Sequence, residues 1–228
     1  MLDLRDPFFQ TFQQLMTEAA AQTPVYDLGT NARFSKEVGM VRHLFDEATY
    51  RAGGYRPDMT LGLSSCDFDC DIQNLCGIAD GEVGSVLCIS VLEHVVDPYR
   101  GVREIYRVLR PGGLAIVSVP FFVAYHGKSR RDENPAYVRG SNWQTDSSHV
   151  GYGDFWRFTH EGLVLMFAEA GFSRVDVYPI DGWLISRLEV LGLHRSFVRV
   201  PVLRWLIHKL DRPQLGRTTT MHFVKAIK

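Results

Sequence analysis

Residues 85–119 read SVLCISVLEHVVDPYRGVREIYRVLRPGGLAIVSV, a strand, a helix and a second strand in succession. Ser85 to Ile89 and Leu114 to Val119 are continuous apolar runs, the pattern of strands covered on both faces. Between them Asp97-Pro98 supplies a cap and a first turn. Val102, Ile105, Tyr106 and Leu109 then recur at helical spacing, and Pro111-Gly112-Gly113 closes the helix. Two doubly buried strands joined by a helix form a crossover unit, which belongs to a parallel sheet.

The alternation continues outward in both directions. Towards the N-terminus, Asp6-Pro7 opens an amphipathic helix carrying Phe8, Phe9, Phe12, Leu15, Met16 and Ala19. Pro24 stops it, and Val25 to Gly29 reads as a short buried strand ending in a glycine turn. The spacing of Val38, Val41, Leu44, Phe45 and Ala48 predicts a helix over 35–52 closed by Gly53-Gly54. A second strand is expected at Met59 to Leu63 and a brief third within Asp67 to Leu75. Towards the C-terminus, Thr159 caps a helix running to Ala170 with Gly171 as its C-cap, and Arg174 to Tyr178 and His222 to Ile227 are strands. The expectation is an α/β fold with a mostly parallel twisted sheet, helices on both faces and an antiparallel last strand. Ligands of such sheets bind beyond the carboxyl ends of the strands.

Composition narrows the function. With 228 residues and 46% hydrophobic side chains, one domain spanning 1–228 is expected. Within it, about 121–156 is expected to be an insertion, centred on Gly127 to Ser148, and 183–217 a helical cap or interface. A net charge of −1 gives no global signature of nucleic-acid binding, and none is expected. The exception is local: Arg187, Arg195, Arg199, Arg204, Lys209, Arg212 and Arg217 stand among apolar residues, opposed by Glu189 and Asp211. That segment, 187–217, suits a dimer face or cap, or contact with a membrane surface or lipid-linked substrate. The opening residues lack a basic-then-apolar leader and no apolar run is long enough to span a bilayer, so a cytoplasmic protein is expected. Cys66, Cys70, Cys76 and Cys88 show no C-x-x-C pair and read as reduced thiols; the spacing of Cys66 and Cys70 with Asp67, Asp69 or Asp71 fits zinc poorly.

Three segments carry a family resemblance: Leu92-Glu93-His94-Val95-Val96-Asp97-Pro98; Arg107 to Gly113 with Ser118-Val119-Pro120; and Arg157-Phe158-Thr159 to Gly171-Phe172. With the turn after the first strand, they resemble the class I S-adenosylmethionine-dependent methyltransferases of type 11, from about Val25 to Tyr178. The resemblance implies a Rossmann-like fold, S-adenosylmethionine as methyl donor and S-adenosylhomocysteine as product. It places Asp27, Gly29, Asn31, Ser64, Asp71, Ile72, Ile89 and Ser90 around the cofactor. Two departures stand out. Asn31 and Arg33 occupy positions where the family has glycines, and Ser64-Ser65 stands where it offers an acid to the ribose. Asn tolerates a positive φ, whereas the long Arg33 side chain threatens to crowd the site.

His149, His126 and His94 are the candidate catalytic residues, because an imidazole near the sulfonium can accept the proton of a substrate hydroxyl. The resemblance implies a small-molecule acceptor, a sugar or natural-product hydroxyl. Glu93-His94 reads first as an organiser of its turn, and Asp154 with Arg157 as a pair. Trp143, Tyr152, Phe155 and Trp156 are candidates for an apolar wall. Quinone-pathway relatives bind a divalent metal through Glu-x-x-Glu-His; Ser90 replaces the first Glu here, so no metal is expected. The alternative is a methyltransferase-like protein without turnover that serves as a binding partner or scaffold.

Overall fold

The computed structural model describes residues 7–55, 65–129, 151–191, 193, 201–211 and 218–228. Its centre is a seven-stranded sheet in the order β3-β2-β1-β4-β5-β9-β8. The strands are β1 (Val25–Thr30), β2 (Tyr50–Gly54), β3 (Phe68–Asp69), β4 (Val83–Ile89), β5 (Leu109–Pro120), β8 (Arg174–Ile180) and β9 (Met221–Ile227). β9 runs antiparallel to both β5 and β8, while β1 to β5 pair in parallel, as expected.

Alternation along β4 shows how the two layers form. Val86 and Cys88 face a core shared with α2 (Pro98–Val108) and α3 (His160–Ala170), through Val102, Ile105, Leu163 and Phe167. Leu87 and Ile89 face the opposite core, made with Phe9, Phe12, Leu15, Met16 and Ala19 of α1 (Pro7–Ala20). Both sides of the sheet are therefore sealed, which fits its apolar strands. The caps behave as their residue types require. Asp97 accepts from the Arg100 amide at 2.9 Å, Thr159 from the Gly162 amide at 3.1 Å, and Gly171 takes φ +106. Asp6 lies outside the described residues.

The helix expected over 35–52 is shorter than its pattern. A 3-10 segment covers Lys36–Leu44, and Phe45 is already extended. Asp46 breaks the run: its carboxylate accepts from the Ala48 amide at 3.0 Å and its carbonyl from the Thr49 amide at 3.1 Å, a local turn that competes with helix. Val38, Val41 and Phe45 are still buried against α1, so the apolar spacing was a true sign of burial. The second strand among the described residues is Tyr50–Gly54; the strand expected at 59–63 lies outside them. Gly53 serves the sheet, not a helix end; a Cβ there would meet the Phe68 ring and Cys70 Cβ at 2.7–2.8 Å. Leu109 likewise belongs to β5, not to the helix before it.

Two further helices, α4 (Trp183–Val190) and α5 (Pro201–Leu210), pack against each other through a cap. Asp211, at the end of α5 and only 7% exposed, accepts from the amides of Gly182, Leu184 and Ile185 at the start of α4. Asp211→Ala is expected to cost about 1–2 kcal/mol, the loss of a helix cap with charge-assisted bonds. Urea denaturation measures it, and Asp211→Asn should recover part of the loss. Among the described residues no helix is long and apolar enough to cross a membrane.

Candidate active site

The carboxyl ends of β1 and β4 form one side of the site. Asp27 is 3% exposed and its Oδ2 accepts from the Tyr50 hydroxyl at 2.6 Å; burial and the facing carboxylate push that phenol's pKa upward. Gly29 turns the chain with φ +78 beneath Val91, whose methyls would lie 2.6–2.7 Å from any Cβ. A small cleft opens here, lined by Asp27, Thr30, Ser35, Glu37, Val38 and Ile89. The hydroxyls of Thr30 and Ser35 pair at 2.5 Å on its wall. Glu37 and Ser35 were not singled out in the sequence. The signal for them was present, an acid in the first turn of the segment that follows the glycine turn.

Asn31 does not take the positive φ anticipated for it. Among non-glycine residues described, Phe34 (+52), Ser90 (+54) and Asp181 (+60) do. Asn31 is exposed, and its carbonyl accepts from the Ser65 amide at 3.0 Å. Arg33 does not crowd the cleft. Its guanidinium runs back along β2 to bind the Asp67 carboxylate at 2.9 and 3.1 Å and the Glu47 carbonyl at 2.8 Å, lying over the Phe34 and Tyr50 rings. Ser64 lies outside the described residues. With β2 ending at Gly54, the residue that follows it is Tyr55, half exposed and bearing a hydroxyl.

Asp71 is exposed beyond β3, its Oδ1 accepting from the Gln73 amide at 2.9 Å, whereas Ile72 is turned into the core beside Leu92. Ser90 is anchored to the end of β5. Its amide donates to the Ser118 carbonyl at 3.1 Å and hydroxyl at 3.0 Å, so β4 and β5 end together.

The other side of the site is polar and folded around Glu93, whose side chain is 1% exposed. Glu93 and His94 lie in a 3-10 turn, Leu92–His94, directly after β4. The Glu93 carbonyl accepts from the Phe155 amide at 2.8 Å, and Trp156 Nε1 donates to the Val95 carbonyl at 2.9 Å, which clamps the 153–157 segment over the turn. Asp154 and Arg157 pair as expected, at 2.5 and 2.7 Å, and Asp154 also accepts from the His126 amide at 2.8 Å. Arg157 reaches the carbonyls of Val123 and Ala124, both at 3.1 Å. His126 is thereby carried to the Glu93 carboxylate, with its ring 5.0 Å from that of His94 and nearly perpendicular to it.

The two imidazoles titrate in opposite directions. Burial holds His94 below the ordinary histidine value despite the acid beside it. The Glu93 carboxylate, ahead of the burial that opposes it, raises His126. His149 and Trp143 lie outside the described residues. Phe155 and Trp156 stand beside this cluster and are 38% and 41% exposed.

Comparison with known proteins agrees with this architecture. Residues 52–117 match the family described as "Methyltransferase domain". Over 49 residues the chain is 47% identical to an "Uncharacterized methyltransferase" of Mycobacterium sp. (strain KMS), covering 22% of this chain and 19% of that protein. Over 65 residues it is 35% identical to a "Probable S-adenosylmethionine-dependent methyltransferase" of Mycolicibacterium smegmatis, covering 28% and 25%. The matches thus span about a fifth to a quarter of those relatives' length. In fold, an S-adenosylmethionine-dependent methyltransferase from Mesorhizobium loti superposes over 96% of this chain and 97% of its own, with TM-score 0.55 and 13% identity. The chain therefore carries a methyltransferase-domain segment at the heart of a sheet of the class I S-adenosylmethionine-dependent methyltransferase fold.

Proposed function

We propose that the chain transfers a methyl group from S-adenosylmethionine to a hydroxyl of a small molecule, a sugar or natural-product alcohol, in the cytoplasm. One observation carries the reading: at the carboxyl edge of the sheet lie an acid-lined cleft and a cluster of one buried carboxylate and two part-buried imidazoles, linked through Val91 packed on Gly29. The cleft residues fit the donor. Two carboxylates, Asp27 and Glu37, beside two hydroxyls suit a ligand whose amino-acid end carries an ammonium and a sulfonium. Asp71 stands ready for the adenosine part, with Ile89 lining the cleft.

When bound, S-adenosylmethionine supplies a methyl carbon on a cationic sulfur. The chain's own part is to orient the acceptor in line, exclude water and manage one proton. Transfer to a hydroxyl would release its proton, which residues of the chain would have to accept. The Glu93–His94–His126 cluster is the part of the described site suited to take charge of that proton, which favours an oxygen acceptor; His149 is a further candidate. The rival reading, a scaffold without turnover, drew on Asn31 and Arg33 and on Ser64; the Arg33–Asp67 pair answers the crowding by Arg33, while Ser64 lies outside the described residues. On α5, Val202, Leu206 and Leu210 form an exposed row, which supports a cap or a dimer face there ahead of contact with a lipid-linked acceptor.

Calorimetric titration tests the reading. The native protein should bind S-adenosylmethionine and S-adenosylhomocysteine in the micromolar range, and Asp71→Ala should lose about tenfold to hundredfold of that affinity, one charge-assisted hydrogen bond. Absence of binding to the native protein would overturn the enzyme reading and leave the scaffold.

A further inference from the structure

We propose that Glu93, His94 and His126 form a binding site for one divalent first-row transition-metal ion, zinc foremost. The starting point is the Glu93 carboxylate. Both of its oxygens are buried and neither has a hydrogen-bond partner among the described residues. An ionised carboxylate in that position needs a positive neighbour at bonding distance.

The two histidines are oriented for such a neighbour. His94 Nδ1 lies 2.5 Å from the Gly153 carbonyl and His126 Nδ1 lies 3.2 Å from the Ala124 carbonyl. A carbonyl only accepts, so in each ring Nδ1 carries the proton and the neutral imidazole presents its lone pair at Nε2. Those two nitrogens face the same carboxylate oxygen, Glu93 Oε1, at 3.6 and 3.7 Å. That is too long for an N–H···O hydrogen bond. It is close to the spacing of ligand atoms around a shared ion: donors about 2.0–2.2 Å from a tetrahedral centre stand about 3.3–3.6 Å from one another. One donor atom from each of the three residues falls within a 4.8 Å set.

The outer shell is complete as well. Backbone carbonyls fix the ring tautomers, and the Asp154 carboxylate, held by Arg157, stands 3.3 Å from His126 Nδ1. Two imidazoles and one carboxylate select zinc, cobalt, iron or manganese over magnesium or calcium, which prefer all-oxygen sites. His126 is 36% exposed, which leaves room on its side for a further ligand. There a bound hydroxyl would become more acidic, and only this last role rests on the methyltransferase reading.

The test uses the full chain after dialysis against a chelator, titrated with Zn2+ and, by visible spectroscopy, with Co2+. The protein with Cys66 and Cys76 changed to serine is run beside it, to remove the thiols that are not buried. The native protein and the Cys66/Cys76 double-serine protein should each take up one equivalent with a rise in Tm, and Glu93→Gln and His126→Asn should each weaken uptake by more than about tenfold. Failure of the native chain to bind one equivalent, or uptake unchanged in both variants, overturns the site; should Glu93→Gln not fold, His126→Asn, at a part-exposed position, decides. S-adenosylhomocysteine binding is measured on the same samples. Its retention without metal uptake rejects the metal site alone, and metal uptake without it keeps the site while removing its part in methyl transfer.

Discussion

Gly29→Ala is expected to lower the unfolding free energy by roughly 2–5 kcal/mol and to abolish measurable S-adenosylhomocysteine binding. Two costs combine. The backbone at Gly29 has φ +78, where a side chain is strained, and the added Cβ would sit 2.6 Å from a Val91 methyl. Val91 cannot easily retreat, because Ser90 before it is fixed to Ser118 and Leu92 after it is wholly buried. The collision therefore drives the β1 turn away from the β4 turn and distorts the cleft between them. The double variant Gly29→Ala with Val91→Ala tests this: it should recover the overlap part of the loss but not the backbone part. Urea denaturation with calorimetry on the folded variants separates stability from binding, and a Gly29→Ala protein as stable as native would refute the packing account.

The second large effect is a pH dependence centred on His222. This residue is 1% exposed in β9, its Nδ1 has no hydrogen-bond partner among the described residues, and burial, with a smaller contribution from His160, lowers its pKa to about 4 from 6.5. The folded state therefore holds the ring neutral where the unfolded chain would protonate it. Above pH 6.5 there is no protonation penalty; stability falls progressively as pH drops from 6.5, and the full penalty is present below about 4. The difference amounts to about 3 kcal/mol. In His222→Phe that part of the acid destabilisation should vanish, while stability at pH 8 is held or raised, since the unpaired nitrogen leaves the core. Parallel denaturation curves of native and variant protein from pH 8 to 4 measure the difference, and superimposable pH profiles would show that the ring is not buried neutral.

How much of this could be read without coordinates differs from place to place. The β4–α2–β5 unit could, because its strands are buried on both faces and its helix carries Asp97 and Pro98 at the right end. β2 could not: its Tyr50 and Ala52 continue the apolar spacing of the segment before them, and only the Asp46 turn separates the two. With β2 at 50–54 the residue that follows it is Tyr55, while Ser64, expected in that place, lies outside the described residues. In the site, Asp27, Gly29 and Ile89 come from the family resemblance; Asp27 and Ile89 do line one cleft, and Gly29 turns the chain between Asp27 and Thr30 on its wall. The meeting of His126 with Glu93 and His94 could not be foreseen from spacing, since it depends on the Asp154–Arg157 pair drawing two distant segments together.

The small antiparallel ladder of β6 (Lys128–Ser129) with β7 (Gly151–Tyr152) has a consequence for how the chain can change. It pins both ends of the intervening stretch at one point, so that whatever lies between must leave and return through the same gate. The penalty for closing such a stretch grows only slowly with its length. His126 precedes the ladder by two residues and Asp154 follows it by two, and the His126 amide donates to the Asp154 carboxylate beside it. Replacing the residues between the two strands is therefore expected to leave the His126–Asp154 bond and the Glu93 cluster behind it in place.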